Sequence, residues 1–308
     1  MSIFKENKMV NLLGNSSNII KKGSGILESK FIVPPFSVFD TKQGYWADRK
    51  RMWKKLGIKG ELGRSSELLF NFCPSALEKL NISPKMNTSS IFDPVLCEVV
   101  YTWFNKKGGK IYDCFSGGSV RGIVAELLGY KYFGIDLSQE QIEANKENAK
   151  EIGVNPTWVC DDSINVDKYL EDDSVDMIFS CPPYFNLEVY SDKPNDLSNM
   201  SFDNFKVAYK DIITKACKKL KNDSFAVFVV GDIRDKDGYY INFVDYTKKC
   251  FNDNGLGTYN EIILLDMLGT AMIRCTKPFE VNKKVTKVHQ NVLVFYKGNI
   301  KNIENKFK

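Results

Sequence analysis

The sequence predicts an α/β fold built on a mainly parallel, seven-stranded sheet, and three observations lead to that prediction. From residue 110 onward, short runs rich in β-branched and aromatic residues alternate with helical segments of roughly 10–15 residues, which is typical of parallel sheets. Turn-forming residues separate most of these segments. A chain of 308 residues, 43% of them hydrophobic, can also bury a sizeable core.

Each element follows from a local pattern. Strands are expected at 110–114, 132–135, 157–160, 175–180, 225–230, 261–265 and 291–295, with helices at 120–128, 139–152, 205–220 and 240–251. Two earlier helices are predicted near 45–56, ending at Gly57, and at 95–104, where Pro94 fits a first turn. We therefore divide the chain into a basic, aromatic N-terminal extension (1–90), an α/β domain (91–298) and a basic tail (299–308).

Composition narrows the chemistry. The eight cysteines are scattered without a CxxC pair and His289 is the lone histidine, so we expect no metal site, disulfide framework or histidine triad. No apolar run approaches the ~18 residues of a membrane span, and Met1–Asn11 lacks the apolar stretch of a signal peptide. We expect a cytoplasmic protein that does not enter a membrane.

Charge is unevenly distributed along the chain. Residues 1–90 carry 15 basic and 7 acidic side chains, residues 91–274 carry 20 and 29, and residues 275–308 carry 8 and 2. Basic flanks around an acidic centre suit a polyanionic partner, although solvated surface lysines would give the same pattern. The candidate residues for binding a nucleic acid combine basic and aromatic side chains: Tyr45, Trp46, Arg49, Lys50, Arg51 and Trp53.

A glycine loop follows the first strand of the α/β domain. Asp113 ends that strand, and the loop (Phe115, Ser116, Gly117, Gly118) opens a helix whose N-terminus offers free N–H groups. Asp136 ends the next strand, where an acid can bind ribose hydroxyls; Asp161 or Asp162 ends the third, within reach of an adenine amino group. The GxGxxG spacing of a nicotinamide site is absent, and Asp113 suits a cationic ligand. This pattern favours S-adenosylmethionine over a dinucleotide.

The fourth strand runs into a proline-rich turn. Ser180 and Cys181 precede Pro182 and Pro183, which lack backbone N–H groups and so leave carbonyl oxygens facing outward. Tyr184 and Phe185 follow at the carboxyl edge of the sheet, where such folds bind ligands. A planar base could stack on these rings while its amino group donates to the carbonyls.

Together these motifs resemble the DNA amino-methyltransferases, which form N6-methyladenine or N4-methylcytosine. The resemblance covers roughly residues 88–297, through the Phe-Ser-Gly-Gly loop, the Pro-Pro-Tyr turn and the last strand around 288–297, and residues 34–64 resemble the opening of phage- and prophage-borne members. It implies a Rossmann-like class I methyltransferase fold, S-adenosylmethionine as cofactor, DNA as partner and a setting such as restriction–modification. Further cofactor contacts that it implies are Thr88, Ser89 and Asp93, which close over the methionine end, and Leu137.

One position departs from the family pattern. Cys181 stands where the family has Asp, Asn or Ser as acceptor for the target amino group, and sulfur is a weak acceptor. Either backbone carbonyls orient the amine, Ser180 reaches in, or the target differs; covalent attack by Cys181, as in C5 methylation of cytosine, is the least favoured. We expect methylation of DNA, at adenine N6 rather than cytosine N4, with RNA or protein-amide methylation and a catalytically impaired binder as alternatives.

Overall fold

The computed structural model describes residues 26–59, 92–183, 196–265 and 271–307. In chain order, these contain α1 (Ile26–Phe31), β1 (Val38–Asp40), α2 (Gly44–Lys55), α3 (Pro94–Phe104), β2 (Lys110–Asp113), α4 (Val120–Leu127), β3 (Lys131–Asp136), α5 (Gln139–Ile152) and β4 (Thr157–Cys160). They continue with β5 (Val175–Ser180), α6 (Phe202–Lys219), β6 (Leu220–Val230), α7 (Phe243–Asp253), β7 (Gly257–Leu265), α8 (Ala271–Arg274), α9 (Thr276–Asn282), β8 (His289–Lys297) and α10 (Ile303–Lys306).

All eight strands form one sheet in the order β1-β7-β8-β6-β5-β2-β3-β4. Every pairing is parallel except those of β8, which runs antiparallel to β6 and β7. The α/β prediction is thus confirmed, and the predicted strand count of seven is short by one. The missing strand is β1, which has only three residues and follows a proline-rich stretch that carries no strand periodicity.

The core lies on both faces of the sheet. On one face, α2, α3, α4 and α5 pack around residues such as Val95, Ile123 and Ile142. On the other face, α6 and α7 contribute aromatic residues including Phe205 and Phe251. Alternate residues of β6 enter the two layers, as the period of a strand requires.

The N-terminal extension is not separate from the α/β domain over its described part. β1 pairs with β7, and Trp46 and Trp53 of α2 are 0% and 2% exposed in the core that also holds α3 and α4. The boundary predicted at residue 90 therefore does not divide residues 26–59 from the rest of the fold.

The sheet also has a point where strand order reverses. From β2 the chain moves outward to β3 and β4, and then returns to the other side of β2 through β5 and β6. The crevice outside the carboxyl ends of β2 and β5 is where open α/β sheets bind their ligands.

Candidate functional site

A buried carboxylate lies at the centre of this crevice. Asp113, the last residue of β2, is fully buried and accepts hydrogen bonds from Arg121 Nε at 2.5 Å, Tyr132 Oη at 2.7 Å and Ser180 Oγ at 2.6 Å. The Ser180 hydroxyl also accepts the Phe115 N–H at 3.0 Å. Asp113 therefore connects the end of β5, the glycine loop and β3 in a single network.

Arg121 completes this network from the first turn of α4. Burial lowers its pKa, but the charge of Asp113, the neighbouring Tyr132 and Cys181, and the hydrogen bond to Asp113 together raise it by more, so the pKa is raised overall and the guanidinium stays charged. Its terminal nitrogen donates to the carbonyls of Phe115 at 2.5 Å and Ser116 at 2.9 Å. The pair thus fixes the shape of the loop. Asp113 was expected to face a cationic ligand; instead, its charge is compensated by Arg121 beneath the loop.

Gly117 is held on both sides of its peptide backbone. Its N–H donates to Asp136 Oδ2 at 2.8 Å, and its carbonyl accepts from Asn145 Nδ2 at 2.7 Å. Gln141, one turn earlier on α5, donates to Asn145 Oδ1 at 2.9 Å. Gly117 has φ +47°, a conformation that side-chain-bearing residues rarely adopt. The positive φ explains why glycine occupies this position, and the two hydrogen bonds fix the conformation of the loop before a ligand binds.

Asp136 is the partly exposed acid of the site. Each carboxylate oxygen accepts one backbone N–H, Oδ2 from Gly117 and Oδ1 from Ser138 at 2.9 Å. Burial raises its pKa, and these two hydrogen bonds lower it by less. A carboxylate oxygen accepts more than one hydrogen bond, so both oxygens retain capacity for the two hydroxyls of a ribose. The donor set and the left-handed glycine therefore fit an adenosine-containing cofactor.

The two acids that follow β4, Asp161 and Asp162, have different hydrogen-bond partners. Asp161 accepts from Asn165 at 2.8 Å and Tyr169 at 2.7 Å, and these hydrogen bonds hold its pKa well below its usual range. Its backbone N–H donates to the Asp136 carbonyl, which brings the ends of β3 and β4 together. Asp162 caps the following 3₁₀ helix through the N–H of Ile164 at 3.0 Å. Leu137, which follows Asp136 in the sequence, is half-buried.

The proline turn lies directly beside the glycine loop. Ser180 is fully buried and committed to Asp113 and Phe115, so it does not reach outward as the sequence left open. Cys181 is half-buried against the core, Pro182 is buried, and Pro183 is partly exposed. Tyr184 and Phe185, predicted to stack on a base, lie outside the described residues.

The predicted DNA-binding residues of α2 do not form an open basic patch. Arg49 makes two hydrogen bonds of 2.6 Å to the buried Glu98 of α3, and Trp53 Nε1 donates to the same carboxylate at 2.8 Å. Trp46 and Lys50 both bind Asp93, at 3.1 and 2.8 Å. These four side chains attach α2 to α3. Tyr45 also packs against the core, and Arg51 is exposed and paired with Asp48.

The contacts of Asp93 therefore hold helices α2 and α3 in place. It caps α3 through the N–H of Val95 at 2.9 Å and is held by α2. The adjacent Phe92 lies under the Arg121 guanidinium, 4.6 Å from its ring centroid, so the start of α3 adjoins the glycine loop. Thr88 and Ser89, the other expected contacts of this segment, lie outside the described residues.

Several site residues were not anticipated from the sequence. Arg121 lies four residues after Gly117 in the same loop-to-helix motif, but its contacts with the loop carbonyls follow no residue pattern. Gln141, Asn145 and Asn148 recur at intervals of four and three along α5, which marks one polar but buried helix face. Asn148 accepts from the Ser119 hydroxyl and donates to the Gly57 carbonyl, so this face joins the loop to the N-terminal segment.

Comparisons with known proteins give one family match and several similar folds. Residues 114–192 match the model of a methyltransferase domain family. No curated protein matches the chain. Similar solved structures include TrmN from Thermus thermophilus, with 13% identity over 67% of this chain and 49% of that protein and a TM-score of 0.45. The chain thus spans about half the length of TrmN.

Two further structures are similar at the same level. A TehB-like methyltransferase from Corynebacterium glutamicum has 17% identity over 72% of this chain and 96% of its own, with a TM-score of 0.42. Magnesium protoporphyrin IX methyltransferase from Synechocystis, solved with bound S-adenosylmethionine, has 14% identity over 66% and 79%, with a TM-score of 0.41. At such identities the likeness concerns the fold alone.

The chain has a class I, Rossmann-like methyltransferase fold, and its residues 114–192 match a methyltransferase domain. S-adenosylmethionine is its cofactor. Within the described residues, no helix is long and apolar enough to cross a membrane. The same residues contain no cluster of three or more His, Cys, Asp or Glu able to hold a metal ion.

Proposed function

We propose that this methyltransferase acts on DNA and methylates an exocyclic amino group of a flipped base, adenine N6 in preference to cytosine N4. The observation that carries the proposal is the junction of Asp113, Ser180 and Phe115, because it joins the proline turn to the glycine loop through hydrogen bonds of 2.6 and 3.0 Å. The turn that would present the amine thus adjoins the loop that fits the cofactor.

The pairing of β2 with β5 supports this arrangement. Ile111 and Tyr112 of β2 lie in register with Met177 and Ile178 of β5, so the two strand ends open onto one crevice. An acceptor in this crevice would be oriented beside the methyl donor before reaction. Such positioning supplies a large share of the acceleration in group-transfer reactions.

Backbone carbonyls are the acceptors we assign to the target amine. Ser180 is committed inward, and the sulfur of Cys181 is a weak acceptor. Pro182 and Pro183 lack N–H groups, so nothing of their own backbone competes as a donor. We assign the carbonyls of Cys181 and Pro182 to the two N–H groups of the amine, where they would pull the nitrogen toward tetrahedral geometry and free its lone pair.

The target base must leave the duplex to reach this crevice, at a cost of a few kcal/mol. Tyr184 and Phe185, which follow the turn in sequence, would return roughly 1–3 kcal/mol per stacked base. When bound, S-adenosylmethionine would supply a sulfonium methyl group to the amine nitrogen: an N–C bond would form as the C–S bond breaks, a neutral thioether would remain, and one N–H proton would pass to solvent. No covalent enzyme intermediate is required.

A parallel transfer assay tests the proposal. Purified protein and methyl-labelled S-adenosylmethionine are incubated with mixed-sequence DNA, with RNA of matching sequence, and with a protein extract. We expect label in DNA, loss of most of that label with Tyr184→Ala, and unchanged transfer with Tyr259→Ala, a control tyrosine at the opposite end of β7. Label confined to RNA or protein would overturn the proposed substrate, and cofactor binding without transfer to any acceptor would overturn the proposed reaction.

A further inference from the structure

Two loops lie at the same sheet edge as the proline turn. One is the hairpin between β6 and α7, residues 231–242. The other is the connection before β8, residues 271–288, which contains the short helices α8 and α9 and is called the second loop below. β6 runs parallel to β5, and β6 and β7 both run antiparallel to β8, so the carboxyl ends of β5, β6 and β7 share one edge. A ligand as large as duplex DNA, bound beside the proline turn, can therefore extend along this edge to both segments.

The two loops contact each other. Lys284 lies so close to the hairpin that a Cβ atom built on Gly238 would be 2.4 Å from its Nζ. Within the hairpin, the Arg234 guanidinium stacks 4.0 Å from the ring centroid of Tyr240 and donates to the Gly238 carbonyl at 2.7 Å. The loops therefore form one continuous surface.

This surface carries an excess of positive charge. Residues 271–288 contain five basic side chains and one acidic side chain, Glu280. The hairpin adds Arg234 and Lys236 together with three acids, of which Asp235 is occupied by the N–H groups of Asp237 and Tyr239. The net charge of the two segments is therefore +3, with +4 from residues 271–288 and −1 from the hairpin.

The cations of this surface differ from those of α2 in their partners. Among the described residues, Arg234, Lys277, Lys283 and Lys284 form no ion pair, whereas Arg49 and Lys50 are bound to Glu98 and Asp93. A cation without an internal anion can bind an external one without first breaking an ion pair. This favours the edge loops over α2 as the place where a polyanion binds.

Aromatic rings accompany these cations. Tyr239 is 75% exposed and Phe279 is 51% exposed, and the Lys283 ammonium lies 5.4 Å from the Phe279 ring centroid. Cations interleaved with exposed rings are characteristic of protein surfaces that bind nucleic acids, where lysines bind phosphates and rings stack on bases. We name as the edge surface Arg234, Tyr239, Lys277, Phe279, Lys283 and Lys284.

We infer that the edge surface binds the sugar–phosphate backbone of DNA beside the base delivered to the proline turn. The inference rests on the proposed function, since it takes DNA as the substrate. Its lysines would displace counterions from the DNA, so that the affinity falls steeply with salt. The logarithm of the binding constant should fall with the logarithm of the salt concentration with a slope of roughly −0.9 for each phosphate contacted.

Charge reversal at two exposed lysines tests the inference. Lys277→Glu/Lys283→Glu is compared with Lys146→Glu/Lys150→Glu, which makes the same change of charge on the exposed face of α5. Binding of a fluorescent 24-base-pair duplex is measured by anisotropy between 50 and 300 mM salt, and binding of S-adenosylmethionine is measured by calorimetry. We expect the edge variant to bind DNA on the order of 10- to 100-fold more weakly at 0.1 M salt and to lose about two units of slope.

The α5 variant should stay within about threefold of wild type, and both variants should bind S-adenosylmethionine normally. Equal weakening by the two variants, no weakening by the edge variant, or no DNA binding by the wild type would overturn the inference. Preference of the wild type for an RNA duplex of matching sequence would overturn DNA as the occupant. Because this readout is binding, a wild type that binds DNA through this surface but transfers no methyl group would refute the proposed reaction and leave the surface supported.

Discussion

Replacing Arg49 separates a structural role of α2 from a role on DNA. Arg49 donates two hydrogen bonds of 2.6 Å to Glu98, whose side chain is only 3% exposed. Arg49→Ala leaves that carboxylate buried with the 2.8 Å bond from Trp53 as its remaining partner among the contacts described. Leaving a buried charge without its partner costs roughly 3–5 kcal/mol, and because Arg49 is 20% exposed and water can enter, we expect about 3 kcal/mol.

Urea unfolding followed by far-UV circular dichroism measures this loss. The matched control is Arg51→Ala, on the same helix, whose exposed pair with Asp48 should contribute less than about 1 kcal/mol. The double variant Arg49→Ala/Glu98→Gln should recover roughly 1–2 kcal/mol, since it no longer buries a charge. At temperatures where each variant is folded, DNA affinity should stay near that of the wild type. An Arg49→Ala protein with unchanged unfolding free energy and sharply weakened DNA binding would refute the assignment.

Three further outcomes follow from the site. Asp113→Asn should lower both the unfolding free energy and the affinity for S-adenosylmethionine, because Arg121 loses its charge partner beneath the loop. Urea unfolding measures the first effect and calorimetry the second, and unchanged values would contradict the role of this ion pair. The affinity for S-adenosylmethionine should fall as pH drops through the raised pKa of Asp136, above 3.8, because only the carboxylate accepts two ribose hydroxyls, and Asp136→Asn should remove that dependence. Tyr184→Ala should sharply lower methyl transfer while sparing cofactor binding, and unchanged turnover would exclude its stacking role.

The pH effect on folding has the opposite sign to that on cofactor binding. Since the folded-state pKa of Asp136 is raised above 3.8, the protonated form is favoured in the folded protein. Its contribution to stability is therefore present at low pH and is lost as pH rises through the folded-state pKa. A cofactor whose ribose hydroxyls donate to Asp136 would favour the carboxylate instead.

Periodic segments were the part of the fold that sequence reasoning predicted well. Gln139–Ile152 matches its predicted helix residue for residue, because a Ser138 cap, an amphipathic run and the left-handed Gly153 all mark its ends. β4 and β5 also match their predicted bounds. In contrast, β1 is specified by its neighbour β7 and not by its own three residues, so a local pattern could not reveal it.

The role of α2 shows where composition misleads. Trp46, Arg49, Lys50 and Trp53 were grouped by residue type as a nucleic-acid patch, yet their spacing of three, one and three places them on one helix face. Two tryptophans on that face indicate packing, and the facing carboxylates of Asp93 and Glu98 lie more than 40 residues away in sequence. The pairing of these charges depends on tertiary structure and could not be inferred from local pattern.

In the candidate site, too, some residues could be predicted from the sequence and others could not. Asp136, Gly117 and the proline turn were predicted because the carboxyl ends of parallel strands meet at one edge of the sheet. The inward commitment of Ser180 was left open, because it depends on Asp113 in the neighbouring strand. Arg121 and Asn145 act on the loop through its carbonyl groups, and such contacts carry no sequence motif of their own.

Identification of the methylated nucleoside tests the central claim most directly. DNA treated with the protein and methyl-labelled S-adenosylmethionine is digested to nucleosides and analysed by mass spectrometry. We predict label in N6-methyladenine, or in N4-methylcytosine if the pocket admits the smaller base. Label at C5 of cytosine would instead indicate Cys181 as a nucleophile, and the absence of label in DNA from a protein that binds the cofactor would contradict DNA as the substrate.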